Sequence, residues 1–434
     1  MMNPNRNLRL CALVVASFLP LAHTSGVWAE ETKLSLAKAV NLALSGDIWQ
    51  EGNKLNGQAF LSEATAASSL PDPRINISAA NIPTDTFNFD QEGMTQLKVG
   101  VSQMFPRGDT LQLRREQGKE KNELTLIAAK VRSAKVTSLV SQIYLDAWLA
   151  QHIADLIENN RYLFEQLVDV TEKGYTSAAG NTRQQDLIRA DLELARLDER
   201  VLRIRQQFDT SLQLLLEWLP PEAIANALTI DAPEIEPLAV FKAGELSALT
   251  RVLAKHPTVR GIEQQREIAN TDVEIAKQSY KPEWGLTASY GYRQDDPYGN
   301  SRADFLSVGV TFDLPIFTES RQDKQVDAAR YRALSVETER QLLLRKLSAE
   351  FESLTAQINR LERRELQYSQ KLLQQTNQQA DSALNAYTAD RGDFAEVMRA
   401  YIAVLNTQIE ASQIQVERLK KVVQLNYLLA GEVI

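Results

Sequence analysis

Two ten-residue stretches decide the fold: LKVGVSQMFP at residues 97–106 and LSVGVTFDLP at residues 306–315. They begin 209 residues apart, and the same spacing places Pro73 on Pro282. A second pair, DLIRA at 186–190 and EVMRA at 396–400, lies 210 residues apart. A spacing that is nearly constant over so much of the chain indicates an internal duplication of one large unit.

The duplication and the composition around it divide the 434 residues. The segment between the two copies begins with Pro220-Pro221 and is rich in proline and acidic residues, as expected of a linker. We predict a signal peptide at 1–29, repeat 1 at 30–219, a linker or equatorial segment at 220–242, and repeat 2 at 243–434.

The first thirty residues have the pattern of a secretory signal peptide. Arg6 and Arg9 precede an apolar run from Leu10 to Ala22, and Val27-Trp28-Ala29 resembles a cleavage site. The only cysteine, Cys11, lies inside the apolar run. We therefore expect an exported protein whose mature chain contains no cysteine; a buried N-terminal helix is the alternative.

Each repeat begins with a pair of alternating segments. In repeat 2, Trp284, Leu286, Tyr290 and Tyr292 occupy one side of a strand and small or polar residues the other. Segments of 8–11 residues with aromatic ends suit tilted membrane strands, although an ordinary hairpin with one wet face has the same local pattern. We predict two hairpins, with strands at about 74–82 and 95–105, and at about 284–293 and 304–314.

Very long helices follow each hairpin. The chain has only 18 glycines and 14 prolines, and the stretches without either show apolar residues at heptad spacing, which indicates coiled-coil packing. The predicted helices span about 108–173, 182–219, 318–388 and 393–430. This pattern disfavours collagen-like, disordered and ordinary α/β enzyme folds, and the net charge of −8 disfavours a nucleic-acid partner.

Four membrane strands cannot close a barrel within one chain. Backbone groups in a bilayer need hydrogen-bond partners, so no strand edge can stay open there. Two chains give eight strands, whose interior is filled by side chains, and three give twelve, which leave an aqueous lumen. The predicted fold class is therefore a mixed α/β membrane protein, internally duplicated, with a 12-stranded barrel formed by a trimer and a long α-helical coiled-coil tunnel in the periplasm.

The sequence lacks the usual signatures of catalysis. Nucleophile-elbow, phosphate-loop and dinucleotide-binding motifs are absent. His152 lies in a heptad stripe and His256 precedes Pro257 at a helix entrance, so packing and capping explain both better than metal ligation. We expect no catalytic residue, no metal site and no cofactor, and therefore a conduit and not an enzyme.

The turns between the long helices carry the most specific motif. Tyr175 is followed by Gly180 and then DLIRA, and Tyr387 is followed by Gly392 and then EVMRA. This arrangement, once per half, resembles the TolC-like outer-membrane efflux proteins, also called outer membrane factors. The chain departs from their pattern through two extra residues in the first turn, Asp390 where glycine is common, and Glu396 in place of aspartate.

The resemblance implies a homotrimeric exit duct in the outer membrane of a Gram-negative bacterium, in contact with outer-membrane lipid and with a large periplasmic part. Its implied partners are a periplasmic adaptor (membrane fusion) protein and an inner-membrane, proton-driven pump of the resistance–nodulation–division type. It also implies a constriction at the periplasmic tip, centred on Glu396 and Arg399. The full set of tip candidates is Glu396, Arg399, Asp390, Asp393, Asp186 and Arg189.

A second resemblance concerns the cargo. Residues 70–74, 81–83, 94–96 and 101–107, together with Phe87, are similar to the heavy-metal branch of the same family, whose pumps are of the cobalt–zinc–cadmium or copper–silver type. Heavy-metal cations are therefore the expected cargo. Multidrug efflux and type I protein secretion remain alternatives, as does a periplasmic coiled-coil scaffold without a pore.

Overall fold

The computed structural model describes residues 34–176, 183–225, 230–238, 246–389 and 391–432. Its first half contains two modest helices, a hairpin and two long helices. In chain order these are α1 (Leu36–Ser45), α2 (Ile48–Ala67), β1 (Arg74–Ala80), β2 (Gln96–Phe105), α3 (Thr110–Thr176) and α4 (Gln184–Leu215).

The second half repeats this order after the short α5 (Pro221–Ala225). Its elements are α6 (Leu246–Ala254), α7 (Pro257–Lys277), β3 (Trp284–Tyr292), β4 (Phe305–Phe312), α8 (Gln322–Gln367), α9 (Leu373–Thr388) and α10 (Phe394–Leu428). Single turns of 3₁₀ helix follow α7 and α10. Two copies of one plan, mostly helical with a single four-stranded sheet, confirm the predicted fold class.

The two hairpins join into one antiparallel sheet in the order β1-β2-β3-β4. The central seam pairs β2 with β3, from Leu97 opposite Tyr292 to Phe105 opposite Trp284. The outer strands β1 and β4 each pair with only one neighbour among the described residues. The sheet of one chain therefore has two open edges.

The helices pack around α3, which at 67 residues extends roughly 100 Å. It contacts α1 and α2 along its first half, α4 and α10 along its second half, and α7 from the other repeat. Buried apolar residues form separate clusters along this length and not one globular core. No described helix is both long enough and apolar enough to cross a bilayer.

The linker between the repeats is held against the middle of α3. Leu34 and Ile230 form a parallel bridge there. The buried Tyr144 hydroxyl lies 2.7 Å from the Leu34 carbonyl oxygen and 2.8 Å from that of Asp231. Burial raises the pKa of Tyr144, which keeps its hydroxyl a donor to these carbonyls.

The entrance to the second helix of each repeat is capped at equivalent positions. Asp47 accepts from the Trp49 backbone N–H at 3.2 Å, and His256, which lies 209 residues later, accepts through Nδ1 from the Thr258 N–H at 3.2 Å. His256 Nε2 lies 3.1 Å from the Tyr427 carbonyl oxygen, so that nitrogen carries the proton. Burial lowers the pKa of His256, which favours this neutral, capping form.

Asp47 also fixes α2 to α3. Its carboxylate pairs with Arg132 at 2.8 Å, and the Arg132 guanidinium lies 4.9 Å from the ring centre of Trp218 and 5.8 Å from that of Trp49. The hydrogen bond from Arg132 lowers the pKa of Asp47. One cation thus joins α2, α3 and the segment after α4.

A π-helical turn at Tyr368–Leu372 separates α8 from α9, where the sequence predicts uninterrupted α-helix. Before the turn, buried Leu347 and Phe351 lie 211 residues after buried Val136 and Val140. After it, Tyr387 lies 212 residues after Tyr175. Repeat 2 therefore holds one extra residue here. The wider turn accommodates it, so the apolar side of the helix (the apolar seam) keeps the same direction before and after the turn.

Deletion of the exposed Gln370 should convert the π turn to regular α-helix and leave both flanking seams in place. We expect a melting temperature within about 1 °C of the parent, which corresponds to roughly 1 kcal/mol in a chain of this size. Differential scanning calorimetry in detergent measures it. Deletion of the exposed Glu339 is the control, because it turns the following segment of α8 by about 100° and exposes Leu347, Phe351 and their neighbours. Equal loss of stability in the two variants contradicts this account of the turn.

Candidate functional site

The turn that connects α9 to α10 contains a close backbone contact at Gly392 and a pair of packed aromatic rings. Phe394 opens α10 and lies edge-on to Tyr387, with ring centres 5.9 Å apart. A Cβ on Gly392 would sit 2.7 Å from the Tyr387 nitrogen, so only glycine fits this turn. Asp393 accepts from the Ala395 N–H at 3.3 Å and caps α10.

One apolar cluster joins the helix ends that flank the two turns. It contains buried residues from α3, α4 and α10, and Tyr387 packs against it. Its members nearest these helix ends are Leu167, Ala190, Phe394, Val397 and Met398. This packing fixes the end of α3 and the beginnings of α4 and α10 against one another.

Glu396 and Arg399 lie exposed on the first two turns of α10. The resemblance to the efflux proteins implies that they form a constriction, held closed by pairs between Glu396 and Arg399 or between chains. Within the chain no described residue forms an ion pair with either one, so the intrachain Glu396–Arg399 pair does not form in this structure. Asp393 is exposed and occupied as a cap, and Asp390 lies outside the described residues.

The candidates from repeat 1 are arranged differently. The Asp186 carboxylate is buried, and its Oδ2 accepts from the Arg183 backbone N–H at 3.2 Å, which completes the first turn of α4. Arg189 and Tyr175 are exposed. Gly180 lies outside the described residues. The structure therefore brings Asp186 into a capping role, whereas its counterpart Glu396 is exposed.

The sheet has two faces of opposite character. One face carries apolar side chains that are largely exposed; Leu306 is 77% and Val308 76% accessible. The exposed apolar and aromatic residues on this face are Ile75, Ile77, Leu97, Val99, Val101, Trp284, Leu286, Tyr290, Tyr292, Leu306, Val308, Val310 and Phe312. The aromatic residues are concentrated towards the two ends of the strands, as in membrane barrels.

The opposite face is polar and concave. It surrounds a hollow of about 360 Å³ lined mainly by polar and small residues of β1, β2 and β3. Asn76, Ser78, Gly100, Ser102, Thr287 and Ser289 belong to this lining. A sheet that is apolar outside and polar inside can close around water.

Charged residues connect the sheet to the long helices. Arg107, which precedes α3, pairs with Asp313 and donates to the Lys281 carbonyl at 2.8 Å. Lys281 in turn pairs with Asp109 at 2.7 Å. These bonds link both strand-to-helix connections to the end of α7 and fix how the helices leave the sheet.

The half-buried His152 stacks on Trp148, with ring centres 5.0 Å apart, and burial lowers its pKa. Among the described residues no group of three or more His, Cys, Asp and Glu side chains is arranged to hold a metal ion. The distinctive chemistry of the described chain is therefore that of surfaces: an apolar outer sheet face, a polar inner face and a charged helical tip.

Comparison with solved structures finds this fold in outer-membrane channels. CusC, described for its transmembrane channel formation, has 16% identity and a TM-score of 0.72, with 91% of each chain covered. The outer membrane protein VceC from Vibrio cholerae has 17% identity and a TM-score of 0.70 over 91% of this chain and 96% of its own. The outer membrane channel CmeC from Campylobacter jejuni has 14% identity and a TM-score of 0.71 over 99% and 94%.

No curated protein matches the sequence. The sequence model described as outer membrane efflux protein matches residues 248–431, which correspond closely to the predicted second repeat. This match covers the second half of the chain, and the described chain as a whole is similar in fold to the outer-membrane channels named above.

Proposed function

We propose that this protein is the exit duct of a tripartite efflux system: a homotrimer in the outer membrane of a Gram-negative bacterium, with its helices in the periplasm. The observation that carries the proposal is the sheet, apolar and exposed on one face, polar and concave on the other, and open at both edges. The central strands β2 and β3, with 10 and 9 residues, have the length of a tilted span of the bilayer.

The open edges support association of three chains. In hydrocarbon the free amides and carbonyls of β1 and β4 need partners, and the β4 edge of one chain can supply them to the β1 edge of the next. Three sheets of four strands give twelve, enough for a water-filled lumen. The same symmetry places α3, α4 and α8–α10 of each chain in one ring of helices.

The proposed partners follow from the helical end of the duct. Exposed apolar residues lie along α3 and α4: Tyr162 and Val170 on α3, and Ile188, Leu192 and Leu202 on α4. Such faces favour further helices, first those of neighbouring chains and then those of a periplasmic adaptor that connects to an inner-membrane pump. Passive conduction requires no catalytic group, so we propose that the protein is not an enzyme.

The purified protein in detergent should have the mass of three chains, and in planar bilayers it should form discrete conducting events. Multi-angle light scattering and single-channel recording measure these properties. A matched variant with Val308→Lys and Val310→Lys places charge on the outer sheet face and should abolish insertion. A monomer without channel activity refutes the duct and favours the scaffold alternative.

Glu396 and Arg399 are the proposed closing contacts at the tip. Both are exposed and neither has a partner within the described chain, so pairing across the trimer axis is open to them. A ring of such charges narrows and polarises a pore.

Replacement of both (Glu396→Ala with Arg399→Ala) should raise single-channel conductance about twofold or more, since the charged ring is removed. The control is Glu199→Ala with Arg203→Ala, an exposed pair 3.7 Å apart on α4, which should leave conductance unchanged. Unchanged conductance in the first variant, or an equal rise in both, contradicts the assignment of the tip.

Heavy-metal cations are the proposed cargo, on the strength of the sequence resemblance. Deletion of the gene should increase sensitivity to zinc, cobalt, cadmium or copper, measured as a reduced minimum inhibitory concentration, with restoration by the plasmid-borne gene. Sensitivity to common drugs alone, with metals unaffected, assigns the duct to multidrug efflux.

A further inference from the structure

The four strands contain only two charged residues, and both are basic. Arg74 is the first residue of β1 and Lys98 the third residue of β2. No aspartate or glutamate occurs in any of the four strands. This local excess of positive charge contrasts with the net charge of −8 of the whole chain.

Both residues lie on the concave face. Arg74 pairs with Ser102, and Lys98 pairs with Ser78 and Gly291, so all share the face that surrounds the hollow. Arg74 and Lys98 line that hollow directly. In the register of the sheet they are four residues apart, which separates their levels by about 13 Å along the strands.

Neither charge is compensated by a described acidic side chain. Just outside the strands the pattern is different, because Arg107 pairs with Asp313 and Lys281 with Asp109. At the other end Arg293 lies over the Phe305 ring at 4.1 Å and donates to the Gly93 carbonyl at 2.8 Å. Within the four strands, both basic residues therefore line the hollow without an acidic partner, with Arg74 exposed and Lys98 partly buried.

We propose that Arg74 and Lys98 give the outer-membrane end of the duct a preference for anions. This inference rests on the proposed trimer, in which the two residues form two rings of three positive charges around the lumen. The rings attract inorganic anions and acidic solutes and lower the local concentration of free cations. The distance between the rings is close to the Debye length of about 10 Å at 0.1 M salt, so their fields overlap.

The preference concerns passage through the barrel and not tight binding. A water-filled lumen hydrates both basic groups, and no cluster of groups surrounds a bound anion. A cation that reaches the barrel therefore still crosses it, at a lower local concentration than a neutral or acidic solute of the same size.

A cysteine on the inner face can report the local potential independently of the helical tip. Ser289 lies on this face opposite Gly100, and the chain has no other cysteine than Cys11 in the predicted signal peptide. In Ser289→Cys we would measure the rates of modification by a sulfonate-bearing and a trimethylammonium-bearing methanethiosulfonate, added from the outside. The ratio of the two rates reflects the electrostatic potential at that position.

Addition of Arg74→Gln and Lys98→Gln should lower the anionic-to-cationic rate ratio about three- to tenfold at 0.1 M salt, and less at 1 M salt, where the Debye length is about 3 Å. The matched control adds Lys38→Gln and Lys54→Gln on α1 and α2, which removes the same charge from helices outside the sheet and should leave the ratio unchanged. Because neither strand residue has a described acidic partner, the substitutions break no ion pair, and the trimer mass checks assembly.

A ratio that is unchanged by Arg74→Gln and Lys98→Gln in a conducting trimer overturns the inference and leaves the proposed duct intact. An equal fall in the Lys38→Gln and Lys54→Gln control also overturns it, because the net charge of the protein, and not the charge of the lumen, then determines the ratio of modification rates. A protein that forms neither trimer nor channel refutes the proposed function itself.

Discussion

An unpaired backbone amide cannot remain in hydrocarbon, and the architecture of this chain follows from that constraint. The apolar face of the sheet suits lipid, yet β1 and β4 each leave one edge open. In the proposed duct a neighbouring copy covers each open edge, so membrane insertion of the sheet and association of the chains depend on each other. The proposed trimer then imposes its symmetry on the long helices, through connections that Arg107, Asp313 and Lys281 hold in place.

The two halves of the chain use the same plan with different parts. The second helix of each half is capped at equivalent positions, by an ionised Asp47 in one and a neutral His256 in the other. The extra residue of the second half is absorbed by a π turn at Tyr368–Leu372, which leaves the apolar seams on both sides in contact with their partners. Both halves keep the apolar side of their long helices in the same position. The residues that cap the helices and accommodate the extra residue differ between the halves.

The sequence predicts the fold because the spacing of apolar residues and the scarcity of glycine and proline persist over long stretches of the chain. Alternation revealed the strands, and heptads with scarce glycine and proline revealed the helices. The heptad spacing does not predict the π turn, because Tyr368 and Leu372 keep that spacing through it. At the tip, spacing placed Glu396 and Asp186 at matching positions, yet Asp186 is buried as a cap and Glu396 is exposed. Burial and cap geometry depend on packing across helices, which a linear pattern does not contain. The position of Lys98 in the hollow, without an acidic partner among the described residues, depends on the register of the sheet, which a linear pattern does not contain.

The duplication also has an evolutionary consequence. Arg74 corresponds by position to Glu283, and Lys98 to Ser307, each 209 residues later. A ring of six identical chains would multiply every substitution sixfold around the central axis. In the proposed trimer of unequal halves each substitution is repeated only threefold, so one half can carry a charge while its counterpart stays neutral or has the opposite sign. A duplicated chain thus allows the lining of the proposed passage to change in smaller steps.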